Sequence, residues 1–118
     1  MELNFIKPKE SNSIAKITVQ KSGRLGFSKG AMEMLDIENN LYCKFGFNDV
    51  EELFIVMFSS GDSETFNIAK AGDYYYLQAK TLLADLGIDY KSKDTVIFDI
   101  QKSEKNNVFK MMKRVISK

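Results

Sequence analysis

One segment of this chain, residues 17–37, has a degenerate second copy at residues 66–88. In each copy two extended pieces flank a glycine, Gly23 or Gly72, and a helical piece follows them. A half-chain of this size is too small to bury its apolar faces alone. We therefore predict two halves that pack about a pseudo-two-fold axis and share one core. Because few identities connect the copies, the alternative is a chance coincidence of two similar halves.

Hydrophobic patterning predicts the order strand, strand, helix, strand, strand in both halves. Ser28 is expected to cap the first helix, because its hydroxyl can accept a hydrogen bond from an amide of the first turn. The second helix is predicted over residues 79–86, with Gly87 in the position that favours glycine after a helix. Residues 108–116 fit a strand or a short helix, and their counterpart in the first half favours a strand. The predicted strands are 14–19, 25–27, 41–47, 53–58, 65–70, 74–77, 95–100 and 108–116.

The predicted fold class is therefore α+β and β-rich, with two pseudo-symmetric β-β-α-β-β halves. A chain of 118 residues is large enough for one core and is treated as a single domain. A stretch rich in serine, glycine and aspartate at its midpoint is the strongest linker signal. The predicted parts are a loose arm (1–12), a first half (13–59), a linker (60–64) and a second half (65–118).

Composition limits the class of protein. A hydrophobic fraction of 44% and a charged fraction of 28% are those of an ordinary globular chain. The longest apolar run, residues 53–58, is too short to span a bilayer, and the N-terminus lacks the pattern of a signal peptide. The single cysteine, Cys43, excludes an internal disulfide and is typical of a reducing compartment. We expect a soluble cytoplasmic protein that does not bind membranes.

Enzymatic activity is not expected. The chain has no histidine, the commonest general base and metal ligand. Without histidine or a second cysteine a zinc site is not expected, and no glycine-rich stretch continues into the lysine and hydroxyl of a phosphate loop. Cys43 lies on the apolar side of an alternating strand and is predicted to be a buried hydrophobe. We expect no metal and no other cofactor.

The net charge is only +1, but the charge is unevenly distributed. The first thirty residues carry six cations and two carboxylates, and the last seventeen carry six cations and one carboxylate. The candidates for contact with nucleic acid are Lys16, Lys21, Arg24, Lys29, Lys70 and Lys80. The alternative is that these are ordinary solvated side chains. Asp73, which corresponds to Arg24 in the second half, would place a carboxylate in a symmetric site. Lys110, Lys113 and Arg114 either extend a backbone-binding surface or keep an edge strand from aggregating.

A run of three tyrosines, Tyr74-Tyr75-Tyr76, is a second candidate surface. In a strand Tyr74 and Tyr76 share one face and Tyr75 takes the other, so at least one is expected in the core. Exposed tyrosines can stack on unpaired bases or anchor a protein interface.

A family resemblance rests on residues 16–45. Their pattern is a strand, the turn Gly23-Arg24, a helix entered at Ser28-Lys29, the segment Leu35-Asp36-Ile37 and a strand that begins a hairpin. This pattern resembles the AbrB/MazE/SpoVT swapped-hairpin family, whose members are dimeric DNA-binding regulators and antitoxins of roughly half this length. The resemblance covers residues 15–58 moderately well and residues 65–116 weakly.

The resemblance implies a fused dimer that forms one swapped-hairpin-like barrel. The sequence departs from the family pattern at several positions. Ser28 stands where the family has a proline, and Met32 where the family's helix often has an arginine. In the second half Asp73 stands opposite Arg24, and Leu77-Gln78 replaces Ser28-Lys29.

The function implied is that of a non-catalytic DNA-binding protein that regulates transcription and contacts double-stranded DNA through basic turn residues. One alternative is a protein-interaction or assembly module that uses the tyrosines and the acidic middle of the chain. Another is a single-stranded nucleic-acid binder of the Whirly type, with basic and aromatic residues on one sheet face. The expected state is a monomeric pseudo-dimer or a dimer.

Overall fold

The computed structural model describes residues 2–3 and 15–117. In this part of the chain nine strands form one sheet, and two short α-helices and a 3-10 turn connect them. The strands are β1 (Lys16–Val19), β2 (Arg24–Phe27), β3 (Tyr42–Phe47), β4 (Leu53–Phe58), β5 (Phe66–Asn67), β6 (Ala69–Ala71), β7 (Tyr74–Gln78), β8 (Thr95–Lys102) and β9 (Val108–Ile116). The helices are α1 (Lys29–Met34) and α2 (Lys80–Asp85), and the 3-10 turn covers Ile37–Asn39.

The sheet is a nearly closed barrel with the strand order β5-β3-β4-β9-β8-β1-β2-β7-β6. Each strand pair formed by the described residues is antiparallel, as in the register Leu25 opposite Leu77 between β2 and β7. The two outermost strands, β5 and β6, are consecutive in the chain and separated only by Ile68. A single extended segment therefore brings the two ends of the sheet together.

Ile68 marks the point where this closing segment changes partners. Its N–H donates to the carbonyl of Leu41 at 2.8 Å, and its side chain is buried in the core. The strand predicted over residues 65–70 is consequently split, because β5 pairs with β3 whereas β6 pairs with β7. The prediction of one continuous strand was wrong at this position.

The core lies inside the barrel and is built from alternating residues of the strands. On β4 the inward residues Leu53, Ile55 and Met57 are buried, and the residues between them are half-buried. The helices complete the core with buried side chains such as Leu83 of α2. Period-two patterning thus predicted the buried position of Cys43. The returning strand β4 and its counterpart β9 have the predicted bounds.

The two helices begin in different ways. Ser28 caps α1 as predicted, because its hydroxyl oxygen accepts from the N–H of Ala31 at 3.1 Å. The same oxygen accepts from the N–H of Lys16 at 3.0 Å, which ties the start of α1 to β1. The α2 helix has no side-chain cap, and the N–H of Ala79 donates instead to the carbonyl of Gly23 at 2.9 Å.

Phe47 was expected on the apolar face of β3, but it is 60% exposed because the tip of the β3–β4 hairpin extends past the core.

The predicted arm, residues 1–12, lies outside the described residues except for Glu2 and Leu3, which are exposed. No helix in the described ranges 2–3 and 15–117 is long and apolar enough to cross a membrane.

Replacing Ile68 with alanine tests the role of the closing segment. We expect Ile68→Ala to lower the free energy of unfolding by about 2–4 kcal/mol, because it leaves a cavity where the barrel closes. Urea denaturation followed by circular dichroism measures this change. Val50→Ala is the control, since Val50 is 69% exposed and we expect a change within about 0.5 kcal/mol. Equal effects of the two variants would contradict the closing role of Ile68.

Candidate nucleic-acid interface

The turn between β1 and β2 is the centre of the candidate site. Gln20 and Arg24 close it, with the N–H of Gln20 donating to the carbonyl of Arg24 at 2.8 Å. The N–H of Gly23 donates to the carbonyl of Gln20 at 2.9 Å, and Gly23 has a φ of +85°. That left-handed conformation favours glycine, because a Cβ atom would be strained there.

The start of α2 packs directly on this turn. Besides the hydrogen bond from Ala79 to Gly23, the side chain of Lys80 crosses the glycine. A Cβ atom at Gly23 would lie 2.6 Å from Cγ of Lys80 and 3.3 Å from the ring of Tyr90. The turn of the first half is therefore joined to the helix start of the second half.

The loop after α2 completes this end of the barrel. The ammonium group of Lys21 donates to the carbonyl of Ser92 and, at 2.7 Å, to the carbonyl of Asp94. Lys91 lies 6.0 Å above the ring of Tyr90, and Lys93 is exposed in the same loop. We call the resulting cluster the basic end, and its members are Lys21, Arg24, Lys80, Lys91 and Lys93.

Sequence reasoning missed two members of the basic end. Lys91 and Lys93 flank a serine in a short charged run, which was the available signal, but nothing in the sequence placed this loop beside Lys21. Asp89 and Asp94 belong to the same loop, and the carboxylate of Asp89 accepts from the N–H of Lys91 at 3.1 Å. Five cations and two carboxylates leave the basic end positive.

A stack of side chains continues from the basic end along the outer face of β2 and β7. The guanidinium carbon of Arg24 lies 4.4 Å from the ring centroid of Tyr76, and the rings of Tyr76 and Tyr74 are stacked with centroids 5.9 Å apart. We call these three side chains the tyrosine stack. Tyr75 points to the other face and is buried, which confirms the expected division of the three tyrosines.

Gly26 makes room for the tyrosine stack. A Cβ atom at Gly26 would lie 2.6 Å from the hydroxyl of Tyr74 and 2.6 Å from the side-chain amide nitrogen of Gln20. The amide of Gln20 donates to that hydroxyl. Tyr74 thus covers a strand position that lacks a side chain, so at least part of its role is structural.

The remaining sequence candidates do not join the basic end through any contact of the described residues. Lys29 is exposed at the start of α1, at the opposite end of β2 from Gly23. Lys70 is on β6, with its ammonium group 5.7 Å from the ring centroid of Tyr75. Lys16 is on β1 opposite Asp99 of β8. The structure brings together Lys21, Arg24 and Lys80 of the six predicted residues.

Several cations elsewhere are neutralised by carboxylates. Lys44 lies 3.0 Å from Asp62, and this hydrogen bond raises the pKa of Lys44. A hydrogen bond from Lys110 lowers the pKa of Glu52. Arg114 pairs with Asp99 at 3.0 and 3.2 Å. The ion pairs found among the described residues include none from the basic end; there Lys21 donates to backbone carbonyls, and Arg24 and Lys91 lie over tyrosine rings.

Within residues 2–3 and 15–117 no three potential metal-ligating side chains cluster together. The only thiol, Cys43, is enclosed in the core, and burial raises its pKa to about 12.

Comparisons of this chain with protein-family models, with curated proteins and with solved structures found no match.

The raised pKa of Cys43 predicts slow alkylation of the native protein. At pH 8 the thiol is protonated, because this pH is far below a pKa of about 12, and only the thiolate reacts. We expect iodoacetamide to modify Cys43 at least about tenfold more slowly in the folded protein than in guanidinium chloride. Mass spectrometry over time measures both rates, and equal rates would contradict burial of the thiol.

Alanine substitution at two glycines tests the backbone conformation of the Gly23 turn and its contact with Lys80. Gly23→Ala places a Cβ atom at a φ of +85° and against Lys80, and we expect a loss of about 1–2 kcal/mol in stability. Gly46→Ala meets open space without a positive φ, and we expect a gain of about 0.4–1 kcal/mol because the unfolded chain loses freedom. Urea denaturation of both variants checks the opposite signs.

Proposed function

We propose that this chain is a non-catalytic DNA-binding protein of the transcription-regulating kind, and that the basic end contacts double-stranded DNA. The observation that carries the proposal is the packing of Lys80 on the Gly23 turn. This contact unites cations from distant parts of the chain on one surface. Lysines contact phosphates without reading sequence, and Arg24 at the edge of the cluster is placed to reach a base.

The proposal includes a fused pair of swapped-hairpin-like halves, and the strand order supports this. In this comparison β1 corresponds to the segment β5–β6, β2 to β7, β3 to β8 and β4 to β9. Exchanging each strand with its counterpart leaves every strand next to the same neighbours around the barrel. Under the exchange, the pair β1–β8 becomes the pair of β5 with β3. The pairs β2–β7 and β4–β9 each join a strand to its own counterpart.

This pseudo-symmetry explains why the DNA-binding surface is one-sided. The turn that corresponds to residues 20–23 is the β6–β7 turn, which presents Asp73 in place of Arg24. A carboxylate there repels phosphate, so the second turn is a poor DNA contact. We propose that a single DNA contact is made, at the basic end.

A single-stranded nucleic acid is the second candidate partner, and the tyrosine stack favours it. Bases without a partner stack on aromatic side chains of a sheet face, and the stack begins at the basic end with Arg24. Arg24 and Tyr74 already contact the ring of Tyr76, which leaves less ring surface for a base. For this reason we favour the duplex.

Binding of a labelled duplex should depend on the lysines of the basic end. We expect Lys21→Ala combined with Lys80→Ala to weaken binding about tenfold or more. The slope of log K against log salt concentration should become shallower by about two. Fluorescence anisotropy across a salt series measures both quantities.

The matched control is the double variant Lys102→Ala with Lys105→Ala. Both lysines are exposed at the β8–β9 turn, which lies roughly 25 Å along β8 from the basic end. We expect this control to bind like the unmodified protein. Equal losses in the two double variants would show only a general charge effect, and absence of duplex binding at low salt would refute the proposal.

Replacing Tyr74 distinguishes the two nucleic-acid partners. We expect Tyr74→Leu to leave duplex affinity within about twofold, whereas a stacking site for single strands would lose about tenfold or more in affinity for a single strand. Anisotropy with one sequence in both forms makes the comparison, and circular dichroism monitors folding.

A further inference from the structure

The last strand offers a second surface, independent of the basic end. Along β8 the pairing of β9 extends from Phe109 to Ile116. Along β4 it covers only Val108 to Met111. We call residues Met112–Ile116 the free edge, because no strand of residues 15–117 pairs with their second side.

The hydrogen bonds of β9 show which of its backbone N–H and C=O groups point toward β8 and which point away from it. In an antiparallel pair, successive residues direct their N–H and C=O groups to opposite sides of the strand. The N–H of Ser103 donates to the carbonyl of Val108, which directs even-numbered residues of β9 toward β8. The N–H of Met57 donates to the carbonyl of Asn107 on the other side. The backbone groups of Lys113 and Val115 therefore point outward, away from β8.

The free edge also carries exposed apolar side chains. Met112, Val115 and Ile116 are 38%, 49% and 39% exposed. An open edge with exposed apolar groups is a template for pairing with another strand. Arg114 lies among them, but its guanidinium group is held in two hydrogen bonds by Asp99.

We infer that the free edge pairs with the free edge of a second copy of this chain, antiparallel and centred on Val115. A two-fold interface of this kind uses one surface twice. Val115 faces its own equivalent and shares two hydrogen bonds with it, and Lys113 faces Ser117. Arg114 faces Ile116, and the two exposed Val115 side chains cover each other.

Charge disfavours the registers centred on Arg114 and on Lys113. A register centred on Arg114 would set two arginines opposite each other, and one centred on Lys113 would do the same with two lysines. Like charges directly opposite are destabilising in a sheet. The register centred on Val115 places each cation of the free edge opposite an uncharged residue.

Among residues 2–3 and 15–117, no strand occupies the side of β9 beyond Met111. A groove beside Lys113 is lined by Phe47, Leu86 and Ile88. Pairing of β4 with β9 begins only at Leu53, because the preceding residues close the hairpin through the bond from the N–H of Asn48 to the carbonyl of Glu52. The added strand therefore continues the sheet where β4 has not yet begun.

Sedimentation velocity from micromolar to millimolar concentration, without nucleic acid, tests the inference. We expect the unmodified protein to show a monomer–dimer equilibrium. Val115→Asp sets two carboxylates opposite each other and should weaken the dimer about 100-fold or more. Ser60→Asp is the control, because Ser60 is exposed after β4, at the end of that strand away from Met111, and it should dimerise normally.

A cysteine variant tests the register itself. Directly opposite hydrogen-bonded residues of an antiparallel pair have Cα atoms about 5.5 Å apart, which suits a disulfide. We expect Val115→Cys to form a cross-linked dimer on mild oxidation much faster than Ser60→Cys, and the buried Cys43 should not interfere. A monomer at every concentration would overturn the inference. So would association that Val115→Asp leaves intact, or equal cross-linking of the two cysteine variants.

Discussion

The pairing of β2 with β7 is the contact on which the other features of this protein depend. It sets Leu25 opposite Leu77 at the centre of the barrel, and each of these leucines is only 1% exposed. The same pairing brings the Gly23 turn beside the start of α2. It also aligns Arg24 with Tyr76 and Tyr74 on the outer face. Core, basic end and tyrosine stack are thus three consequences of one strand register.

The basic end shows how a backbone requirement can shape a charged surface. The N–H of Ala79, the residue before α2, donates to the carbonyl of Gly23. That bond holds the next residue, Lys80, against a glycine whose missing Cβ leaves room for the lysine stem. The positive surface therefore depends on Gly23 for both its conformation and its space.

The barrel also shows how a sheet deals with its edges. A segment that changes partners at Ile68 nearly closes the sheet, pairing with Tyr42 and Cys43 of β3 and with residues 74–76 of β7. The outer part of β9 is left over, because β9 has nine residues and pairs with β4 over only four. Lys113 and Arg114 limit uncontrolled association at such an edge. They also disfavour the registers of self-association centred on either of them.

Local pattern in the sequence determined the secondary structure well. The apolar run of residues 53–58 placed β4, and its counterpart in the second half placed β9, both with their observed bounds. Residue chemistry identified Ser28 as a cap and Gly87 as a residue of positive φ after α2. These features depend on residues close together in the chain. Only the tertiary structure decided the split at Ile68, the exposure of Phe47 and the contact of Lys21 with the loop at residues 92–94. Each of these depends on packing between segments distant in the chain, which a local pattern does not encode.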